Sequence, residues 1–229
     1  MKPILFNTEM VRAILEGRKT VTRRIVKCKY SNTHLKMFTN KYGTRLIELQ
    51  NNIEGVTFGK NPDGTSWQKL LGMREVEYDH KPFKVGDILY VRETWEEWTG
   101  GYAYKVPDPH ATYNYPASFI GKWKPSLHMP KEAARIFLLV KAVRVERLQD
   151  ITEEEAVKEG IRYFDEFAGG YHWSEDHETG GVWDTAKGCF EWGLWNSTID
   201  KVNLELYGRE ANPWVWIIEF ERISKEETI

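Results

Sequence analysis

Two long β-rich runs set the limits on what this chain can fold into. In residues 214–222, Trp214, Trp216, Ile218 and Phe220 fall on one face while Glu219 and Glu221 fall on the other, the alternation of a half-buried strand. Residues 136–148 are equally β-rich, but their apolar phase shifts near Ala142 and Val143, which predicts a bulge or bend of the kind barrels use. Shorter strand runs are expected at 4–6, 20–26, 45–50, 56–58 and 73–78, around Tyr102 and Tyr104, and after the Gly86-Asp87 turn, where Ile88, Tyr90 and Arg92 share one face and Leu89, Val91 and Glu93 the other. Helices are few. Asn7 or Thr8 caps one that carries Met10, Val11, Ile14 and Leu15 and is closed by Gly17. Thr152 and Glu155 form a capping box for a second, ended by Gly160, and Phe190, Leu194, Trp195 and Ile199 mark a third, weakened by Gly193. Many short strands with two or three helices predict an α+β, mainly β chain built on a small barrel.

Residues 1–229 carry no internal repeat and no sharp break in composition, so one domain is expected, with insertions at about 27–82, 96–130 and 163–212. The first is polar and rich in Asn and Gly, the second is broken by prolines, and the third is rich in Gly and aromatics. A hydrophobic content of 41% is ample for a packed core, so disorder is not expected. With a net charge of −2, any nucleic-acid contact must come from a local patch. Two cysteines exclude a framework of several disulfides, and no stretch reaches the roughly 20 apolar residues that span a bilayer. The N-terminus lacks the apolar run of a secretory signal, so a cytoplasmic protein without a membrane partner is expected. Oligomeric state is not legible.

The local patch is the sequence Gly17-Arg18-Lys19-Thr20-Val21-Thr22-Arg23-Arg24, in a window where seven cations between Arg12 and Lys29 face Glu16 alone. A lysine in the turn after a helix can come to the same side as a threonine in the following strand, and a neutral amine can take the hydroxyl proton as the threonine attacks a carbonyl carbon. Burial or neighbouring cations make the amine neutral, and Arg18, Arg23 and Arg24 are such neighbours. The alternative is a basic strand that binds phosphate. Glu159 falls in the last turn of its helix, where the macrodipole disfavours a carboxylate, a setting that suits a general base or proton relay; a surface glutamate is the plainer reading. Arg92, Glu93 and Trp95 offer a guanidinium, a carboxylate and an aromatic face within four residues, a set that could hold a nucleobase or belong to core and rim packing. His172, Asp176 and His177 have no reinforcing ligand at metal spacing, so a solvated loop is expected, with no metal and no cofactor. Phosphate-loop, esterase-elbow and zinc-deaminase motifs are absent.

Residues 17–23, then Val85-Gly86-Asp87-Ile88-Leu89, then 148–160 resemble the activating signal cointegrator homology (ASCH) family, whose β-barrel is similar to the PUA RNA-binding domain. The stretches Arg92-Glu93-Thr94-Trp95, His128-Met129-Pro130-Lys131 and Asn212-Pro213-Trp214-Val215-Trp216 are similar to those of longer members found in phage and prophage genomes. The resemblance covers about half of the chain and implies a nucleoside, nucleobase or RNA as partner. A small bacterial member hydrolyses N(4)-acetylcytidine with a lysine, a threonine three residues later and a glutamate. By similarity these roles fall on Lys19, Thr22 and Glu159, with Glu155 the competing carboxylate, and Arg23, Arg92, Glu93 and Trp95 are expected to bind substrate. The competing implications are a module that binds RNA or a modified base without chemistry, and a ribonuclease.

Overall fold

The computed structural model describes residues 1–28, 33–40, 43–50, 56–60, 66–70, 73–75, 81–108, 122–164, 170–172, 183–190 and 212–228. They are mainly β with few helices. The chain forms two compact units, Met1–Arg24 with Phe83–Ile229, and Ile25–Pro82. In the smaller unit β3 (Thr33–Asn40), β4 (Gly43–Gln50) and β7 (Met73–Glu75) form a three-stranded antiparallel sheet, and β5 (Val56–Lys60) pairs with β6 (Ser66–Leu70).

The larger unit is organised by a five-stranded sheet in the order β1 (Lys2–Leu5), β8 (Ile88–Arg92), β11 (Phe137–Arg147), β14 (Trp214–Ile223), β2 (Val21–Ile25). β1 runs parallel to β8, whereas β8 and β14 are antiparallel to β11. Among the described residues the sheet is open, with β1 and β2 as its edges. The phase shift expected in β11 is a bulge: Val140 pairs with Phe220 and Ala142 with Glu219, so Lys141 is the extra residue. Ile136, Leu138 and Val140 face the core before the bulge and Val143 packs against it afterwards; the extra residue keeps both halves apolar inward.

Both faces of this sheet are covered. On one, α1 (Thr8–Leu15) lays Val11, Ile14 and Leu15 on Ile4, Leu89, Val91, Leu138, Ile218 and Phe220. Asn7 caps this helix by accepting the Met10 N–H at 2.9 Å. On the other face Tyr90 and Phe137, the alternate residues of their strands, meet Trp95, Tyr104, Met129 and Ala133. Trp95 and Tyr104 come from the hairpin of β9 (Trp95–Trp98) and β10 (Gly101–Tyr104), Ala133 comes from the short 3-10 turn Lys131–Ala133, and Met129 closes the preceding turn, Ser126–His128.

α2 (Glu153–Lys158) begins with the expected capping box, in which Thr152 and Glu155 bind each other's backbone N–H groups. Gly160 ends it at φ 102°. β12 (Arg162–Phe164) and β13 (Gly170–His172) form a hairpin, and residues 186–190 are helical. The predicted helical positions Leu194, Trp195 and Ile199 lie outside the described residues, as do Asp176 and His177. Among the described residues no helix is long and apolar enough to cross a membrane, and no three His, Cys, Asp or Glu residues gather as metal ligands.

Two glycines with positive φ make a paired prediction. A Cβ on Gly160 would stand 2.7 Å from the Ala13 Cβ and 3.2 Å from the Lys19 Cβ, whereas one on Gly17, at φ 75°, would meet open space. Left-handed strain alone costs about 1–2 kcal/mol. Gly17→Ala should therefore lose about 1 kcal/mol in denaturant unfolding, and Gly160→Ala more than about 2 kcal/mol because Ala13 and the lysine stem must also shift.

Candidate active site

The turn between α1 and β2 is fixed by hydrogen bonds at both ends. Gly17 takes the positive φ and donates its N–H to the Ile14 carbonyl at 3.0 Å, and the N–H groups of Arg18 and Lys19 both reach the Ala13 carbonyl, at 2.9 and 3.0 Å. The turn then docks on the C-terminus of α2, where helical carbonyls lack intrahelical partners. Three successive carbonyls are satisfied there. The Thr20 N–H binds Lys158 O at 3.0 Å, the Lys19 ammonium binds Glu159 O at 2.9 Å, and the Arg18 guanidinium binds Gly160 O. Only a residue without a side chain at 160 lets the lysine stem pass this close.

This docking buries Lys19 to 2% exposure. Its Nζ donates to Glu159 Oε2 at 2.6 Å, to Glu159 O at 2.9 Å and to Val21 O at 2.8 Å. An ammonium has three N–H donors, and all three are used, which is the arrangement of a protonated lysine. Burial nevertheless pushes the amine below the ordinary lysine range, and Arg24 and Arg23 add to the fall while Glu159 opposes it. Arg18, expected to contribute, instead turns to Glu16 at 2.6 Å and to the Gly160 carbonyl.

Glu159 is itself 3% exposed and has two cationic partners. Its Oε1 accepts from Arg23 Nη1 at 3.0 Å, while Arg23 Nη2 binds Glu155 Oε2 at 2.6 Å. Glu155 also accepts from Arg144, which pairs in turn with Glu146 and Glu219. Of the two candidate carboxylates, Glu159 is the one that touches Lys19, and Glu155 is the cap residue that ties Arg23 to the network outside. Thr22 is 1% exposed, and its Oγ1 has no hydrogen-bond partner among the described residues. Lys19 does not donate to it; the ammonium reaches the carbonyl of the preceding residue, Val21. The site is thus an ion pair with its donors and acceptors committed, next in the chain to a buried hydroxyl without a partner.

Of the predicted substrate ligands, Arg23 belongs to this cluster, and Arg92, Glu93 and Trp95 make their contacts elsewhere. Arg23 is 3% exposed and held by the two glutamates. Glu93 is also buried, and Arg135 grips its carboxylate with two parallel bonds of 2.8 and 2.7 Å. Burial pushes the Glu93 carboxyl up while Arg135 opposes the shift. Trp95 lies in the core, its ring edge-on to Tyr102 at 5.8 Å and under the Lys124 ammonium at 4.8 Å. Arg92 donates to Leu127 O at 3.2 Å and lies over the Tyr90 ring. Among the described residues no side-chain hydrogen bond or ion pair joins Arg92, Glu93 or Trp95 to Lys19, Thr22 or Glu159. Phe6 touches both groups: its N–H binds Arg92 O at 3.2 Å, and its ring lies 5.8 Å from Lys19 Nζ.

Sequence reasoning missed Phe190, whose ring stands 5.7 Å from the Arg23 guanidinium. It is brought there by Glu153, whose carboxylate accepts the N–H groups of Ala186 and Lys187 at the start of helical residues 186–190. It also missed Arg135 and Arg144, because nothing local marks a pairing across distant elements. No protein-family model, curated protein or solved structure matches the chain.

A buried hydroxyl without a partner is destabilising by about 1–3 kcal/mol, whereas removing one member of a buried ion pair costs about 3–5 kcal/mol. Thr22→Val should therefore leave the unfolding free energy unchanged or raise it by about 1 kcal/mol. Lys19→Met should lower it by about 3 kcal/mol, with Arg23 left as the remaining partner of Glu159.

Proposed function

We propose that the protein is a hydrolase that removes an acyl group from the exocyclic amine of a modified cytosine nucleoside or base, an N(4)-acetylcytidine-like substrate, on a PUA-like scaffold of the ASCH type. The observation that carries this reading is the unpartnered Thr22 hydroxyl, buried between two chain neighbours, Val21 and Arg23, that both bind the lysine-glutamate pair. A stabilising core would favour valine there; a nucleophile must be free.

In the proposed reaction Thr22 Oγ1 attacks the acyl carbon, and its proton passes to the Lys19 amine. The amine becomes available when Lys19 hands a proton to Glu159 Oε2 across 2.6 Å, an exchange favoured by burial, since separated charges lose their hydration there. The acyl C–N bond breaks as the leaving amine takes a proton from the pair, and water then releases the acid from the acyl-threonine. The pairing of four of the seven cations weighs against a phosphate-binding strand: Arg12, Arg18, Lys19 and Arg23 are met by Glu9, Glu16, Glu155 and Glu159.

Purified protein incubated with N(4)-acetylcytidine should release cytidine and acetate. Thr22→Val should abolish turnover while keeping its fold, and Lys19→Ala should lose at least about 100-fold. Proton exchange within the pair leaves its proton count unchanged, so the rate should hold level across neutral pH and fall as the pair loses the proton the leaving amine needs, at a pH below the ordinary lysine value of 10.5 because burial lowers the Lys19 amine. Undiminished turnover by Thr22→Val would overturn the mechanism. RNA binding that falls steeply with salt, without product at any enzyme concentration, would favour the binding module instead.

A further inference from the structure

We infer that Arg23 is a positioning residue, one that orients Glu159 toward Lys19 from within the protein, and that it does not contact substrate. The inference rests on the hydrolase reading for its kinetic consequences but on geometry for its content. Arg23 extends from β2 beside Thr22, and its side chain is 1% exposed. Its two terminal nitrogens divide between carboxylates one helical turn apart, Glu159 Oε1 at 3.0 Å and Glu155 Oε2 at 2.6 Å. Phe190 lies 5.7 Å from the guanidinium carbon, held there through Glu153.

The consequence lies in the division of labour between the two Glu159 oxygens. A free glutamate has soft terminal torsions and could turn either oxygen, or neither, to Lys19. With Oε1 held by Arg23, Oε2 is presented to Nζ at 2.6 Å. Arg23 is held in its turn: Glu155 is fixed by the Thr152 capping box and by Arg144, which also meets Glu146 and Glu219. The charged groups around the pair are thus Arg23 and Arg24 of β2, Arg18 of the turn, Glu155 of α2 and Arg144 of β11. A planar fork can bridge two carboxylates at once; a lysine ammonium on a flexible stem is a poor substitute.

Steady-state kinetics on N(4)-acetylcytidine for Arg23→Lys and Arg23→Gln, with crystal structures of both, test the inference. Misplacement of a reacting group by about 1 Å costs on the order of 100-fold, so kcat should fall roughly 10- to 100-fold while KM stays within about twofold, with Arg23→Lys the milder. In the Arg23→Gln crystal the Glu159 carboxylate should leave the Lys19 ammonium, opening the pair beyond about 3.5 Å. A rise in KM at unchanged kcat would make Arg23 a substrate ligand and overturn the inference. So would a Glu159–Lys19 pair left in place in Arg23→Gln. Should wild type turn over no acylated nucleoside, the hydrolase reading falls, and the crystal structures alone decide whether Arg23 positions Glu159. If Arg23→Gln does not fold, Arg23→Lys carries the kinetic test by itself, a lower kcat at unchanged KM being the expected result and a raised KM at unchanged kcat the one that overturns the inference.

Discussion

The Lys19 ammonium is the point on which the rest of this unit depends. Taking a lysine and a glutamate out of water costs several kcal/mol per ion, and charge-assisted hydrogen bonds return about 1.5–3 kcal/mol each. The two sides nearly cancel, so the pair is not retained for stability. What it fixes is geometry. The same ammonium that meets Glu159 also meets the Glu159 and Val21 carbonyls, joining the end of α2 to the start of β2. The arrangement exists because Gly160 has no side chain and Gly17 turns the chain at a positive φ.

Around that point the sheet divides its two faces between different tasks. One face packs aliphatic residues against α1 and fixes where the α1–β2 turn begins. The other is aromatic, and two of the three residues read as suited to hold a nucleobase are buried there: Trp95 packs in the core with Tyr104, and Glu93 is neutralised by Arg135, which stacks 4.0 Å from the Tyr104 ring. Under the proposed hydrolase reading, the chemistry falls to Lys19, Thr22 and Glu159 and the cations that hold them.

Local features were legible in the sequence because their causes are local. A cap at Asn7 or Thr8, the Thr152–Glu155 box, Gly17 and Gly160 as stops, and a bulge near Ala142 and Val143 all follow from backbone sterics and periodicity within a few residues. The placement of Lys19 in a turn followed likewise. What failed to show was pairing between distant segments. A run of cations looks like an open basic patch when counted along the chain, but Glu155 and Glu159 arrive from more than 130 positions away and neutralise Arg23 and Lys19. Trp95 looked like a stacking surface because an aromatic ring does not reveal from sequence whether a partner such as Tyr102 will cover it. The barrel expected from the strand pattern also depends on which edges meet, and among the described residues the sheet remains open.

The central claim is that Lys19 rests as a buried ammonium bound to Glu159. Side-chain ammonium NMR of ¹⁵N-labelled protein at neutral pH tests it most directly, with Lys19 assigned by the signal lost in Lys19→Met. A resonance protected from solvent exchange, with a coupling to the Glu159 carboxyl carbon, is the predicted result. A Lys19 amine that exchanges freely and reacts with an acylating reagent as fast as the exposed lysines would contradict it.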